Sequence, residues 1–318
     1  MHTSVRALRR HVLTPSTSET HVSRRGFHPG EPNDRHMIET VGGTFLTGYG
    51  HAVETGDPER VVPLLRGTPA RFRGFAHEGA AMGFTVLDAL TLRGTRLTAY
   101  LDGPGRPHVY MAHVGAGWAL ARLPRPLWPR ADRFDPLLRW LVLDGYGFHE
   151  AYFRTDRTVR RRRVDDRPAR WSGHPDYAPR AIDQGIGRAL WFVACADPVR
   201  AADLVEGFPV GRRADLYAGV GLAAAYAGGG DDRLAALRER AGEHTRWLAQ
   251  GGAFAAEARV RAGLEVPHVA TATEILCGLT PERAARLARE TRPASGTAEG
   301  PVPAYEVWRT RLAERLAR

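Results

Sequence analysis

From Arg35 to Gly56 apolar side chains recur at helical spacing, at Ile38, Val41, Phe45, Leu46, Tyr49 and Val53, which predicts an amphipathic helix. Asp57-Pro58 follows, an N-cap residue with proline at the first helical position, so a short helix should run to about Leu65. Gly67-Thr68-Pro69 turns the chain into a helix over 71–90, with Phe75, Gly79, Met82, Val86 and Leu90 along it. A further helix over 92–101 leads to Gly103-Pro104-Gly105. Two strongly apolar helices follow, over 108–123 and from Pro136 to about Arg154, separated by a break at Pro124 to Pro129. Residues 1–34 are polar and carry Pro15, Pro29 and Pro32, which suggests an arm with one short helix at Val5–Leu13. No stretch alternates with period two, so the fold class is all-α.

The pattern repeats. Asp57-Pro58 recurs 140 residues later as Asp197-Pro198. At the same offset Leu64 meets Leu204, Gly67 meets Gly207, Pro69 meets Pro209, Arg73 meets Arg213 and Gly79 meets Gly219. Upstream, Ile38-Glu39 resembles Ile182-Asp183; downstream, Gly117-Trp118-Ala119 resembles Ala253-Phe254-Ala255, and Trp140 to Gly145 resembles Thr273 to Gly278. The matches are collinear, so the expected architecture is a pseudo-twofold pair of duplicated multi-helix repeats packed into one helical protein. The expected divisions are an N-terminal arm (1–34), a first repeat (35–155), an Arg-rich linker (156–177), a second repeat (178–290), and a linker with a C-terminal helix (291–318). The helices also carry many small residues, such as Gly79, Gly115, Gly117, Gly219, Gly221 and Gly251. Glycine within a helix costs roughly 1 kcal/mol against alanine, so its repeated use points to close helix–helix approach.

Composition removes several chemistries. The chain contains no lysine, so a Schiff-base lysine, a phosphate-loop lysine and a kinase lysine are all excluded. Neither Gly-x-Ser-x-Gly nor His-Glu-x-x-His occurs, and Gly115-Ala116-Gly117 lacks the third glycine of a dinucleotide fingerprint. Net charge is +10, but arginines are scattered among Asp and Glu, as the coding bias of a GC-rich genome produces. The one dense run, Arg157 to Arg167, reads as an exposed linker, and no nucleic-acid partner is expected. No run of about 20 apolar residues exists, so no transmembrane helix is expected. Met1 to Arg25 lacks the apolar core of a secretory signal, and the two cysteines form no Cys-x-x-Cys pair, which together suggest a reduced cytoplasmic protein.

Residues 137–153 combine core character with titratable chemistry: Asp144, His149 and Glu150 lie inside an apolar frame. Burying a carboxylate without a partner is costly, so such groups are paired, protonated or bound to something. Adding Glu78 and His113 from the two preceding apolar helices gives five candidate catalytic residues: His113, His149, Glu150, Asp144 and Glu78. They are expected to converge and to serve as acid and base on an unsaturated substrate. Metal ligation by the same side chains stays open, and no cofactor is identified.

Four segments carry a resemblance: Arg73-Gly74-Phe75-Ala76-His77-Glu78-Gly79-Ala80-Ala81-Met82-Gly83, His108 to Ala119, Asp144-Gly145-Tyr146-Gly147-Phe148-His149-Glu150, and Asp183-Gln184-Gly185-Ile186-Gly187. With Arg24-Gly26-Phe27 and Tyr305-Glu306-Val307-Trp308, they make nearly the whole chain resemble the bacterial family of domain of unknown function 1702. That resemblance implies a place in gene clusters for enediyne and other polyketide natural products. It brings no catalytic residues with it. Two function classes follow: an accessory protein that binds or transforms an apolar polyene or polyketide intermediate, with isomerase or cyclase chemistry if it is an enzyme, or a non-catalytic scaffold docking on another biosynthetic protein.

Overall fold

The computed structural model describes residues 2–92, 94–163, 165, 168, 171, 173–230, 233–294 and 300–317. All regular structure among them is helical. The chain runs through α1 (His2–Leu13), the single turn α2 (Val22–Arg25), α3 (Pro32–Thr55), α4 (Pro58–Arg66), α5 (Ala70–Thr91), α6 (Arg96–Asp102), α7 (Val109–Arg122) and α8 (Trp140–Phe153). It continues as α9 (Ala178–Val193), α10 (Pro198–Glu206), α11 (Val210–Ala227), α12 (Leu234–Ala241), α13 (Thr245–Arg261), α14 (Pro267–Cys277), α15 (Pro281–Glu290) and α16 (Ala304–Leu316). Among the described residues no helix is long and apolar enough to cross a membrane. Cys195 and Cys277 are both free thiols.

Local signals set the helix ends. The Asp57 carboxylate accepts from the backbone N–H groups of Glu59 and Arg60, and Asp197 does the same for Val199 and Arg200. Each occupies an N-cap with proline at the first helical position. Gly56 ends α3 in the left-handed region, where its N–H reaches the Ala52 carbonyl.

The long helices α3, α5, α7, α8, α9, α11 and α13 stand side by side, each packed against the next. Glycine makes this possible. A Cβ on Gly145 would overlap the Val114 carbonyl of α7, and one on Gly147 would overlap Ile182 of α9. Gly185 lies against the Asp144 carbonyl of α8, Gly187 against Leu216 of α11, Gly219 against Gln184 of α9, and Gly221 against Leu248 of α13. Residues i and i+2 project about 200° apart on a helix, so each Gly-x-Gly presents one bare face to each of two neighbours. The layer curls until its ends meet. The buried Arg259 of α13 donates to the Ala70 and Arg71 carbonyls at the start of α5 and to Tyr226 at the end of α11. Phe75 of α5 meets the Tyr226 ring edge to face at 5.2 Å.

Two expectations change here. Of the segment 1–34, expected as a polar arm, the described residues 2–34 lie folded on the layer. Val22 and Phe27 are buried, Phe27 packs edge-on against Tyr152 at 4.9 Å, and the His28 N–H donates to the Val193 carbonyl. Two apolar residues in a polar stretch suffice because α3, α8 and α9 present apolar surface at that point. The match of Trp140–Gly145 with Thr273–Gly278 joins unlike positions: Gly145 lies within α8, whereas Gly278 is the left-handed C-cap of α14. Parts of the expected linkers, at 164, 166–167, 169–170, 172 and 295–299, lie outside the described residues.

The glycine contacts predict opposite outcomes at two sites. Gly185→Ala forces α8 and α9 apart and should cost about 1–3 kcal/mol or more. Gly43→Ala, where a Cβ meets nothing within 4 Å, should gain up to about 1 kcal/mol. Thermal melting of both variants checks this; equal effects would rule out close approach as the role of Gly185.

Candidate functional site

The residue just before the first bare glycine faces the interior of the layer. On α5, α8, α9 and α13 that residue is Glu78, Asp144, Gln184 and Gln250, all buried. One helical turn further on come Met82, Phe148, Arg188 and Phe254. Polar side chains from α5, α8 and α9 therefore meet at one level inside an otherwise apolar core.

Arg188 is the centre of that level. Its Nη1 donates to Asp144 Oδ1 at 2.5 Å, its Nη2 faces Glu78 Oε1 at 3.8 Å, and its guanidinium carbon lies 5.1 Å from the centre of the Phe148 ring. Gln184 donates to the other Asp144 oxygen at 2.8 Å and to the Tyr305 hydroxyl at 3.0 Å. Burial pulls the Arg188 pKa down, but Asp144 and Glu78 outweigh it and hold the guanidinium charged. Burial pushes Glu78 up to about 7, against the pull of Arg188. One carboxyl of the triad therefore changes protonation near neutral pH.

The guanidinium separates two narrow crevices. On the Glu78 side the lining includes Phe45, Phe75, Trp118, Phe148, Tyr152 and Phe192, closed outside by Pro15, Glu19 and Thr20 of the N-terminal segment. Its volume is about 50 Å³. On the Asp144 side Tyr110, Val114, Tyr226, Phe254 and Trp308 surround about 30 Å³.

Of the five residues singled out in the sequence, only Glu78 and Asp144 come together. His149 and Glu150 form a separate pair: His149 Nδ1 is 3.8 Å from Glu150, and Glu150 accepts from Arg154 at 2.8 Å. The cause is helical phase, since position 149 is rotated about 140° from position 144. The His149 ring packs against Trp118 and Phe153, and burial depresses its pKa despite Glu150. His113 is turned away. Its Nδ1–H donates to the Val109 carbonyl at 2.8 Å, its ring lies 5.6 Å from Phe134, and burial lowers its pKa. Expected convergence of all five is therefore corrected to a pair, a second pair and an isolated histidine.

Several residues escaped notice in the sequence. Arg188 was hidden among many arginines, and Gln184 was read only as part of the family resemblance; the signal was their place just before and just after Gly185-x-Gly187. Arg309 is fully buried and binds Asp215, Glu306 and the Tyr177 hydroxyl. Nothing in the C-terminal sequence distinguished it from its exposed neighbours. His108 stacks 3.5 Å from His77, the neighbour of Glu78 already marked in the sequence, and burial depresses both histidines, His108 to about 4. Among the described residues no three His, Cys, Asp or Glu side chains are grouped as metal ligands would be.

The family model for Protein of unknown function (DUF1702) matches residues 4–316. No curated protein and no solved structure matches the chain.

Glu78 predicts a pH dependence of stability. Its folded pKa of about 7 lies above the ordinary 4.5, so the folded state holds the proton more tightly than the unfolded chain. That contribution is full below the ordinary value and is lost as pH rises through the folded one, at up to about 1.4 kcal/mol per unit. Denaturant unfolding at about pH 5 and about pH 8 measures the change. Glu78→Gln should flatten it; a wild-type slope no steeper than the variant's refutes the assignment.

Proposed function

We propose that this chain, a member of the DUF1702 family, is a cytoplasmic accessory protein of enediyne or polyketide natural-product biosynthesis that binds an apolar, unsaturated intermediate in the aromatic crevice beside Glu78. One observation supports this above others: a single buried carboxyl, with its pKa raised to about 7, faces a crevice walled by aromatic rings. Such a carboxyl can donate its proton to one carbon of a double bond. The cation left on the adjacent carbon would face the π surfaces of Trp118, Phe45 and Phe148. Glu78, now a carboxylate beside Arg188, would take a proton back from a neighbouring carbon. The net reaction is a double-bond isomerisation, or a cyclisation if a second double bond captures the cation first.

The crevice as it stands has room for a water or two, against roughly 300 Å³ or more for a small-molecule site. Occupancy therefore requires the N-terminal segment that forms its outer wall to move. The same filled core favours a second reading, a non-catalytic helical scaffold or docking partner for another biosynthetic protein.

We also propose that the layer arose by duplication. The succession α3–α4–α5–α6–α7 is followed by α9–α10–α11–α12–α13 in the same order, with α4 and α10 both nine residues long and capped alike. In the second half the position of Glu78 is taken by Ala218, which would leave one working site.

Paired variants in a producing strain separate the two readings. Glu78→Gln should retain the melting temperature and lose product, whereas His149→Ala should lower the melting temperature and lose product only as folded protein is lost. Full product yield from a stable Glu78→Gln protein excludes Glu78 as the catalytic group and leaves the scaffold reading.

A further inference from the structure

The aromatic crevice has a second neighbourhood at its mouth. Tyr152 and Phe153 line it on the inside and also line an open bowl of about 420 Å³ on the outside. The bowl is walled by Arg24 and Arg25 of α2, Arg154 at the end of α8, and Arg157 and Arg160 of the following turn. Among the described residues Asp156 is the single carboxylate of the lining, and it is engaged by Arg161 at 2.9 Å.

The carboxylates that contact these arginines sit behind them. Glu150 is buried under Arg154, Asp165 lies 3.9 Å from Arg157 and is itself largely covered, and Glu19 holds both Arg24 and Arg25. Arg24, Arg154 and Arg157 remain about half exposed on the side facing solvent, and Arg160 has no ion pair among the described residues. A guanidinium has five N–H donors and a recessed carboxylate occupies one or two, so the four paired forks are oriented with donors to spare. The turn itself is anchored. Asp156–Arg160 forms one turn of π-helix, with Thr158 and Val159 buried and the Thr158 hydroxyl donating to the Glu150 carbonyl at 3.2 Å. Arg157 and Arg160 are therefore carried on a fixed backbone.

We infer that this arginine bowl binds a phosphate-class anion, the head group of the same molecule whose apolar chain enters the crevice. The inference rests on the crevice reading above. Several convergent forks over a bowl this wide suit the three or more oxygens of a phosphate ester better than the two of a carboxylate. The shared Tyr152 and Phe153 place head and chain on one path. Two sources offer that chemistry, a chain carrying a diphosphate and a chain carried on phosphopantetheine.

Binding of farnesol, farnesyl diphosphate and dodecanoyl phosphopantetheine to the full chain, by calorimetry at low and moderate salt, tests it. At least one phosphate-bearing probe should bind about tenfold or more tightly than farnesol, with an advantage that shrinks as salt rises. The tighter of the two identifies the source. Arg157→Gln combined with Arg160→Gln should remove the advantage and leave the farnesol affinity and melting temperature unchanged. Arg24→Gln, on the opposite wall, should reduce it independently. If farnesol binds and phosphate adds nothing, or the advantage survives both variants, the bowl is not an anion site and the crevice reading stands. If only the phosphate probes bind, and do so through the arginines, the inference holds. If none binds, the crevice reading falls and this one with it.

Discussion

Helix backbones can approach one another this closely only where a side chain is missing, and the arrangement of the molecule follows from that constraint. At Gly145, Gly147, Gly185 and Gly187 the neighbouring carbonyl occupies the volume a Cβ would need. Because the bare positions on α7, α8, α9 and α11 come two apart, each of these four helices is held on opposite sides and a layer results. The remaining faces then have fixed roles, one toward the interior and one outward. Glycine at mid-helix weakens each helix taken alone, and packing on both sides offsets that loss.

The interior face carries the most demanding electrostatics. Three ionisable side chains, Glu78, Asp144 and Arg188, are almost wholly removed from water. Arginine suits the central place because its planar fork can address carboxylates on two different helices and loses its proton far less readily than lysine. Asp144 has the better geometry, with a direct bond to Arg188 and a second from Gln184. Glu78 has the looser contact and the raised pKa. Asp144 is thus tied directly to two neighbours, whereas Glu78 is held by one looser contact.

Much of the fold was legible because its signals are local. Asp57-Pro58 and Asp197-Pro198 start helices as capping chemistry requires, and the apolar periodicity of α3, α5, α7 and α8 marked those helices to within a few residues. The abundance of glycine pointed correctly to close packing. The site was only half legible. Glu78 and Asp144 stood out as carboxylates in apolar frames, but Arg188 was one arginine among many in a chain without lysine. Its partners come from helices some 40 and 110 residues distant in sequence, and no local pattern encodes such a meeting. Proximity in sequence also misled: Asp144 and His149 share a helix and point in different directions.

The seam at Arg259 bears on the order of assembly. The main junctions along the row join helices that are near neighbours in the chain, so each can form soon after its own pair does. The bonds from Arg259 to Ala70 and Arg71 span 189 and 188 residues and form only after nearly the whole layer exists. Contacts made that late contribute little to the folding rate and mainly set how fast the native state comes apart. Arg259 therefore belongs, with Asp34–Arg233 and Phe75–Tyr226, to the contacts that bear on how long the fold persists more than on how fast it forms.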